Sequence, residues 1–252
     1  MRPLNMIENT GIVMHHTTGA FLGTCVAFRY HTSILTAAHC VSELRAEDIA
    51  IGFPGSRAGN KLFEVAHITR HPQADLAVAS ITEIGEGDIT WTQTELWTDI
   101  SYGVDVATFG YPKTVDDRAN PSPPTPRYFR GHVQRFFPHV SHLGYRYFAA
   151  ELSFRCPAGL SGAPILNTNL HGRLYGIVTE NIQVGSEVSS YSEVNDAGER
   201  FTERYRDLIN YGVCLWLHPL ADWLNGLIPP VAQDEMARRG ENQRAWLKEE
   251  SK

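Results

Sequence analysis

Short apolar segments recur along most of the chain, and Gly, Pro, Asn and Asp residues separate them. Many short strands of similar length are typical of an all-β barrel or sandwich. The pattern therefore predicts an all-β fold. The predicted strands lie in segments 11–14, 20–28, 33–36, 75–79, 104–109, 127–137, 145–154, 163–166 and 174–179.

Helical periodicity is scarce before residue 195. The segment 199–211 predicts a helix, because its apolar and aromatic residues lie near helical spacing. The segment 219–227 predicts a short amphipathic helix with proline at its start. The segment 114–126, with its prolines and two adjacent aspartates, predicts a loop. The polar, charged tail at 231–252 predicts a solvated helix or a disordered segment.

Length and charge limit the class of protein. A chain of 252 residues is long enough for one large domain or for two small ones that share a core. Its formal net charge of -6 suits a phosphate backbone poorly, so we expect no nucleic-acid partner. No apolar run reaches the roughly 18 residues of a membrane span, so we expect no membrane insertion.

The first nine residues lack the apolar core of a secretory signal, which predicts a cytoplasmic protein. In that compartment cysteines stay reduced. The four cysteines, a small number for this length, are therefore expected to be free thiols.

Three segments carry residue types that serine acyl-transfer chemistry needs. A serine nucleophile requires a base, a carboxylate that orients this base, and backbone N–H groups that stabilise the oxyanion. His39 follows an apolar strand, and Asp75 precedes another. Ser161 lies in a segment where Gly159 and Gly162 permit tight turns. Each segment alone is ordinary, since a lone histidine, aspartate or Gly-x-Ser-Gly loop is usually structural. Together and in this order, they predict a catalytic triad.

The segments "LTAAHC", "DLAV" and "GLSGAP" resemble the three signature segments of the trypsin/chymotrypsin superfamily of serine proteases. "GTCVAF" resembles the strand before the family's histidine, and "LYGIVTEN" resembles the strand that lines its substrate cleft. The resemblance runs from about residue 11 to about residue 226, which is nearly the whole chain without its tail.

This resemblance implies two Greek-key β-barrels with a C-terminal helix and an active site between the barrels. On this basis residues 1–100 form the first barrel, residues 101–228 form the second barrel and helix, and residues 229–252 form the tail. His39 acts as general base and acid, Asp75 orients it, and Ser161 attacks. The N–H groups of Gly159 and Ser161 form the oxyanion hole. Thr179 takes the place of a serine beside the buried aspartate. No cofactor or metal is implied.

Two departures from the family pattern are informative. Digestive members carry an acidic residue immediately before the serine, which pairs with a new N-terminus after zymogen cleavage. Leu160 stands there, so the chain is similar to the bacterial and stress-protease branch, which needs no such cleavage. Cys40 matches a half-cystine, but an ungapped count puts its partner at Thr24, one place before Cys25. A Cys25–Cys40 bridge is therefore off register, and free thiols are favoured.

The resemblance also locates a primary specificity pocket. Its base is Arg155 or Phe154, and its far wall is Val178, Thr179, Glu180 and Asn181. Because no acid stands at the base, cleavage after Lys or Arg is not expected. An inward Arg155 would favour an acidic substrate residue, whereas an outward Arg155 would leave a neutral pocket.

The leading hypothesis is a serine endopeptidase that acts on proteins or peptides, gated by narrow specificity or by a regulatory protein partner. The alternatives are a protease-fold binding module with a closed site and a serine esterase. His139 and His142 are candidates for a metal site, but no third ligand is evident in the sequence, so they are expected to be surface residues. Cys156 lacks a separate base, and a structural thiol is expected there.

Overall fold

The computed structural model of the chain describes residues 6–28, 33–82, 88–89, 101–113, 125–168 and 173–227. Two closed antiparallel barrels of six strands each make up most of this part. The all-β prediction is confirmed. The loop predicted at 114–126 lies almost entirely outside the described residues, and the tail at 231–252 lies wholly outside them.

The first barrel has the strand order β1-β2-β3-β6-β5-β4 and closes where β4 pairs with β1. Because the fourth strand returns beside the first, the arrangement is a Greek key. Its strands are β1 (Thr10–His15), β2 (Phe21–Ala27), β3 (Ser33–Thr36), β4 (Ile49–Gly52), β5 (Leu62–Arg70) and β6 (Ala77–Ile81). Strands β4 and β5 are not predicted by the sequence pattern.

The second barrel has the order β10-β11-β12-β9-β8-β7, and β7 pairs with β10 to close it. It repeats the Greek-key connection of the first barrel. Its strands are β7 (Asp105–Gly110), β8 (Arg127–Val140), β9 (Arg146–Leu152), β10 (Pro164–Asn167), β11 (Leu174–Val194) and β12 (Arg200–Trp216).

Two short helices lie near the ends of the described chain, α1 (Met6–Asn9) and α2 (Ala221–Gly226). Helix α2 follows the second barrel and packs back onto the first, where the rings of Trp223 and His71 lie 4.9 Å apart. This is the C-terminal helix that the sequence predicts. No described helix has the length and apolar character needed to cross a membrane.

The helix predicted at 199–211 is wrong, because this segment belongs to strand β12, which pairs with β11 in a long hairpin. Apolar residues four positions apart share one face of a helix, but they also share one face of a strand. The turn between β11 and β12 favours the strand over the helix. Gly198 adopts a φ of 80°, and the side-chain oxygen of Asn195 accepts the N–H of Glu199 at 2.8 Å.

One apolar cluster holds the two barrels together. Buried residues of the first barrel, such as Leu35 and Leu76, join buried residues of the second, such as Ile177 and Leu215. A separate cluster that includes Leu160 and Val178 fills the second barrel. The first barrel thus shares its apolar core with part of the second barrel.

Candidate active site

His39 and Asp75 are brought together by the pairing of strands β3 and β6. His39 lies in a 3-10 turn just after β3, and Asp75 lies just before β6, with Thr36 opposite Ala77. The buried Asp75 carboxylate accepts the backbone N–H of His39 at 2.9 Å and its ring Nδ1–H at 2.7 Å. These two bonds fix the ring and its tautomer, so Nε2 carries the lone pair that a general base needs.

The same contacts shift the titration of His39. Burial alone would lower the pKa of the imidazole, but the hydrogen bonds and charges of Asp75 and Cys40 outweigh it and raise this pKa from 6.5 to about 10. A nearby carboxylate favours the charged imidazolium. The surroundings of His39 therefore favour its protonated form.

The segment before Ser161 forms two successive tight turns. The N–H of Leu160 donates to the carbonyl oxygen of Pro157 at 3.1 Å, and the N–H of Ala163 donates to that of Leu160 at 2.8 Å. Gly159 has a φ of 94° and Gly162 a φ of 87°, which glycine adopts readily. A Cβ atom at Gly162 would lie only 2.0 Å from the Thr24 carbonyl oxygen, so space also requires glycine there.

A hydrogen bond of the preceding carbonyl sets the direction of the Gly159 amide. The Ala158 carbonyl oxygen of the same peptide accepts the N–H of Lys113 at 2.7 Å. Because the C=O and N–H of a trans peptide point in opposite directions, the Gly159 N–H is directed away from Lys113. Neither this amide nor that of Ser161 bonds to another described residue. Both are therefore free to donate to an oxyanion.

Ser161 is held from both barrels. Its backbone carbonyl oxygen accepts the N–H of Thr24 on β2 at 2.9 Å. Its hydroxyl donates to the carbonyl oxygen of Thr179 on β11 at 3.3 Å. Among the described residues, no hydrogen bond joins this hydroxyl to His39, so the Ser161 hydroxyl is turned toward Thr179.

The residues predicted for the specificity pocket fall into different places. Phe154 is partly buried and stacks on Phe129 with a ring separation of 6.3 Å. Arg155 is exposed, which favours the outward alternative and a neutral pocket. Val178 is buried in the core of the second barrel, so its side chain does not face the cleft.

The side chain of Asn181, on strand β11, bonds to the segment that precedes Ser161. Its side-chain oxygen accepts the N–H of Cys156 at 2.8 Å, and its side-chain nitrogen donates to the carbonyl oxygen of the same residue. The side chain therefore sets the width between the segment before Ser161 and the facing strand.

Among the described residues, the Thr179 hydroxyl makes no hydrogen bond to Asp75, and its place beside this aspartate stays a prediction. The Thr179 hydroxyl donates to the carbonyl oxygen of Val213 at 3.1 Å and accepts the hydroxyl of Tyr147 at 2.9 Å. Tyr147 crosses from β9 to reach it and is buried. Sequence reasoning missed Tyr147, because nothing in a β-strand pattern marks a tyrosine as a bridge between strands.

Glu180 lies between two histidines. It contacts Nε2 of His139, and its second oxygen accepts Nδ1 of His142 at 3.0 Å. Burial alone would raise the pKa of the carboxyl group, but these hydrogen bonds and charges outweigh it and lower the pKa to about 2. His139 is mostly buried, so the expectation that both histidines are surface residues is wrong for it. No metal-binding group of three or more side chains is found in the described part of the chain.

All four cysteines are free. The residue that faces Cys40 is Gly23, where a Cβ atom would lie 2.6 Å from the Cys40 sulfur. The ungapped count that put the partner at Thr24 is therefore wrong by one place. Burial raises the pKa of the Cys156 thiol, so it is a poor nucleophile.

The double-barrel fold defines a class of protein, that of the trypsin-like peptidase domains. The family model of the trypsin-like peptidase domain matches residues 23–177, and the chain belongs to this family. Among solved structures, the chain is similar to the apo form of the MamO protease domain from Magnetospirillum magneticum. The TM-score is 0.60 at 14% identity, over 86% of this chain and 96% of that one. None of the curated protein sequences compared with the chain matches it.

Proposed function

We propose that this protein is a serine endopeptidase that cleaves protein or peptide substrates through an acyl-enzyme on Ser161. The observations that carry the proposal are the His39–Asp75 hydrogen bond and the backbone N–H groups of Gly159 and Ser161, which have no partner among the described residues. Unpartnered backbone N–H groups at the serine are the donors that the oxyanion of an acyl transfer requires. The trypsin-like peptidase family supports the same class.

In the proposed reaction, Ser161 Oγ attacks the substrate carbonyl carbon while His39 Nε2 takes its proton. The N–H groups of Gly159 and Ser161 stabilise the resulting oxyanion. His39 then gives the proton to the leaving amine. A water molecule repeats the sequence on the acyl-enzyme and releases the acid. The first step requires the Ser161 hydroxyl to leave the Thr179 carbonyl oxygen and donate to His39 Nε2.

One observation favours a second candidate, a protease-fold binding module. The Ser161 hydroxyl donates to Thr179 and not to His39, as expected if the site is held closed. A binding protein would keep this arrangement when a peptide binds. An enzyme would abandon it. A regulatory partner that gates the site is compatible with the first candidate and forms part of our proposal.

Labelling by a small fluorophosphonate separates the two candidates, because only a competent serine forms the covalent adduct. We expect one adduct per chain on Ser161 and none in Ser161→Ala. Digestion of casein or of a peptide library then separates a peptidase from an esterase, which would turn over small esters alone. Absence of labelling in a folded preparation would favour the binding module.

A further inference from the structure

The loop that carries Asp75 is closed by His71. This loop, residues 71–76, joins strands β5 and β6, and we call it the Asp75 loop. The backbone N–H of His71 donates to the carbonyl oxygen of Leu76 at 2.9 Å, so the two ends of the loop are held together. The position of the Asp75 carboxylate, and with it the bond to His39, therefore depends on the shape of this loop.

The ring of His71 also accepts hydrogen bonds from within the Asp75 loop. Its Nδ1 accepts the backbone N–H of Gln73 at 3.1 Å and that of Ala74 at 2.8 Å. An imidazole nitrogen that accepts must be unprotonated, so the neutral ring carries its proton on Nε2. Ala74 is buried and immediately precedes Asp75. The imidazole therefore holds the backbone one residue before the carboxylate.

Two contacts from the second half of the chain hold the same loop. The ring of Trp223, on helix α2, meets the His71 ring edge to face, with centroids 4.9 Å apart and an interplanar angle of 72°. The backbone N–H of Arg146, at the start of β9, donates to the carbonyl oxygen of Gln73 at 2.8 Å. His71 is thus the residue at which the internal bonds of the Asp75 loop meet the docking of α2.

Burial keeps the His71 ring in the neutral form that these contacts require, because it lowers the pKa of the imidazole. The charged residues of the loop and of the segments that contact it are Arg70, Asp75, Arg146 and Asp222. In the described part of the chain, none of them forms an ion pair with His71. Protonation of Nδ1 would remove both of its hydrogen bonds, so the ring holds the loop only while it is neutral.

We propose that His71 is a positioning residue of the active site, which holds Asp75 in line with His39 by accepting two backbone N–H groups and by packing against Trp223. Its catalytic meaning rests on the proposed peptidase function, whereas the His39–Asp75 hydrogen bond can be tested without that function. Through Trp223, the orientation of Asp75 also depends on the docking of helix α2. The C-terminal helix thus acts on the site from a distance.

Two substitutions at His71 separate its acceptor from its ring. His71→Ala removes both. His71→Asn removes the ring but keeps an acceptor, because an asparagine side chain accepts backbone N–H groups two residues further along the chain. We expect His71→Ala to lower the rate of fluorophosphonate labelling of Ser161 about 10- to 100-fold, and His71→Asn to restore most of that rate. His67→Ala, at an exposed histidine on β5, is the control and should label at the parental rate.

Proton NMR of the full chain tests the same point without catalysis. A proton in a short, charge-assisted bond, such as the one from His39 Nδ1 to Asp75, resonates far downfield of the backbone amides. We expect this resonance in the parent, in His71→Asn and in His67→Ala, and its loss or broadening in a folded His71→Ala protein. A role limited to stability would lower the unfolding temperature of His71→Ala and leave the resonance in place.

The helix contact has its own variant, which also decides the matter if His71→Ala does not fold. Trp223→Leu removes the aromatic edge that packs on His71, and it should weaken the downfield resonance and slow labelling about threefold or more. Leu227→Ala, at the exposed end of α2, is the matched control and should change neither.

The inference is overturned if a folded His71→Ala protein keeps the parental resonance and labelling rate, or if His71→Asn loses both to the same extent as His71→Ala. If His71→Ala does not fold, a parental resonance in Trp223→Leu overturns it. Absence of the resonance from the parent would do the same, since Asp75 would then not hold His39. If the parent shows the resonance but does not label, the proposed peptidase function fails, while the resonance still decides whether His71 positions Asp75.

Discussion

The hydroxyl of Thr24 donates a hydrogen bond to the carbonyl oxygen of Gly159 at 2.8 Å. The same hydroxyl accepts the N–H of Tyr111 at 3.1 Å, and the Thr24 N–H bonds to Ser161. One fully buried side chain of the first barrel therefore fixes the Gly159 turn of the second barrel, where we propose the oxyanion hole. In digestive proteases a charged pair orders this turn after cleavage, and here neutral hydrogen bonds serve the purpose.

Thr24→Val should loosen this turn. It removes the hydroxyl at almost constant volume and leaves the Gly159 carbonyl oxygen and the Tyr111 amide without a partner. We expect a stability loss of about 1–3 kcal/mol and a loss of labelling rate of up to about 100-fold. Thermal unfolding and the rate of fluorophosphonate labelling measure the two effects.

Thr108→Val is the matched control. The Thr108 hydroxyl is also fully buried, but it has no hydrogen-bond partner among the described residues. Removal of an unsatisfied hydroxyl should leave stability unchanged or increase it, and labelling should stay at the parental rate. A Thr24→Val protein that behaves like this control would show that the Gly159 turn is ordered by other contacts.

The pH dependence of activity should follow His39. General-base catalysis needs the neutral imidazole, and the pKa of His39 is raised from 6.5 to about 10. The rate should therefore rise with pH, with a midpoint above 6.5 and below about 10. The ion pair of His39 and Asp75 stabilises the folded protein with the opposite pH trend. This stabilisation is complete below pH 6.5 and is lost as the pH rises through the raised pKa of His39.

Asp75→Asn supplies the comparison for this profile. It should lower the rate about 10⁴-fold near neutral pH, because the ring loses its fixed tautomer. It should also lower the midpoint, since burial remains while the carboxylate that raises the pKa of His39 is gone. An unchanged midpoint would show that another group controls the titration.

The three candidate catalytic residues could be predicted from the sequence, whereas the residues that hold them in place could not. His39, Asp75 and Ser161 stand in short local patterns whose chemistry is specific as a set. Thr24 acts through contacts with residues 135 positions away, and no local pattern encodes such a contact. Lys113 acts through its backbone, so its residue type carries no signal.

Strand β12 shows a second limit. The spacing of its apolar residues fits both a helix and a strand. The segment is a strand because it pairs with β11, which lies across a turn. The strands β4 and β5 were missed because their pattern is weak on its own. In the folded barrel, the first residues of β5 alternate between exposed and buried, and Phe63 and Val65 are the buried ones.

Leu160 should stabilise the serine loop by packing. Its side chain is fully buried in the second barrel, where a charged residue would need a partner. Leu160→Ala should cost about 2–5 kcal/mol of stability and reduce labelling of Ser161. Leu143→Ala, at a position 57% exposed, is the control and should change neither. If Leu160→Ala is less stable but still labels fully, the order of the serine loop does not depend on the packing of Leu160.

The central claim is that Ser161 is competent without N-terminal processing. The most direct measurement attaches an uncleavable N-terminal extension to the full chain and follows fluorophosphonate labelling by intact mass. We predict one adduct per unprocessed chain, located on Ser161 and absent from Ser161→Ala. Labelling that appears only after N-terminal residues are removed would contradict the claim and would show that this site, like that of the digestive enzymes, is assembled by cleavage.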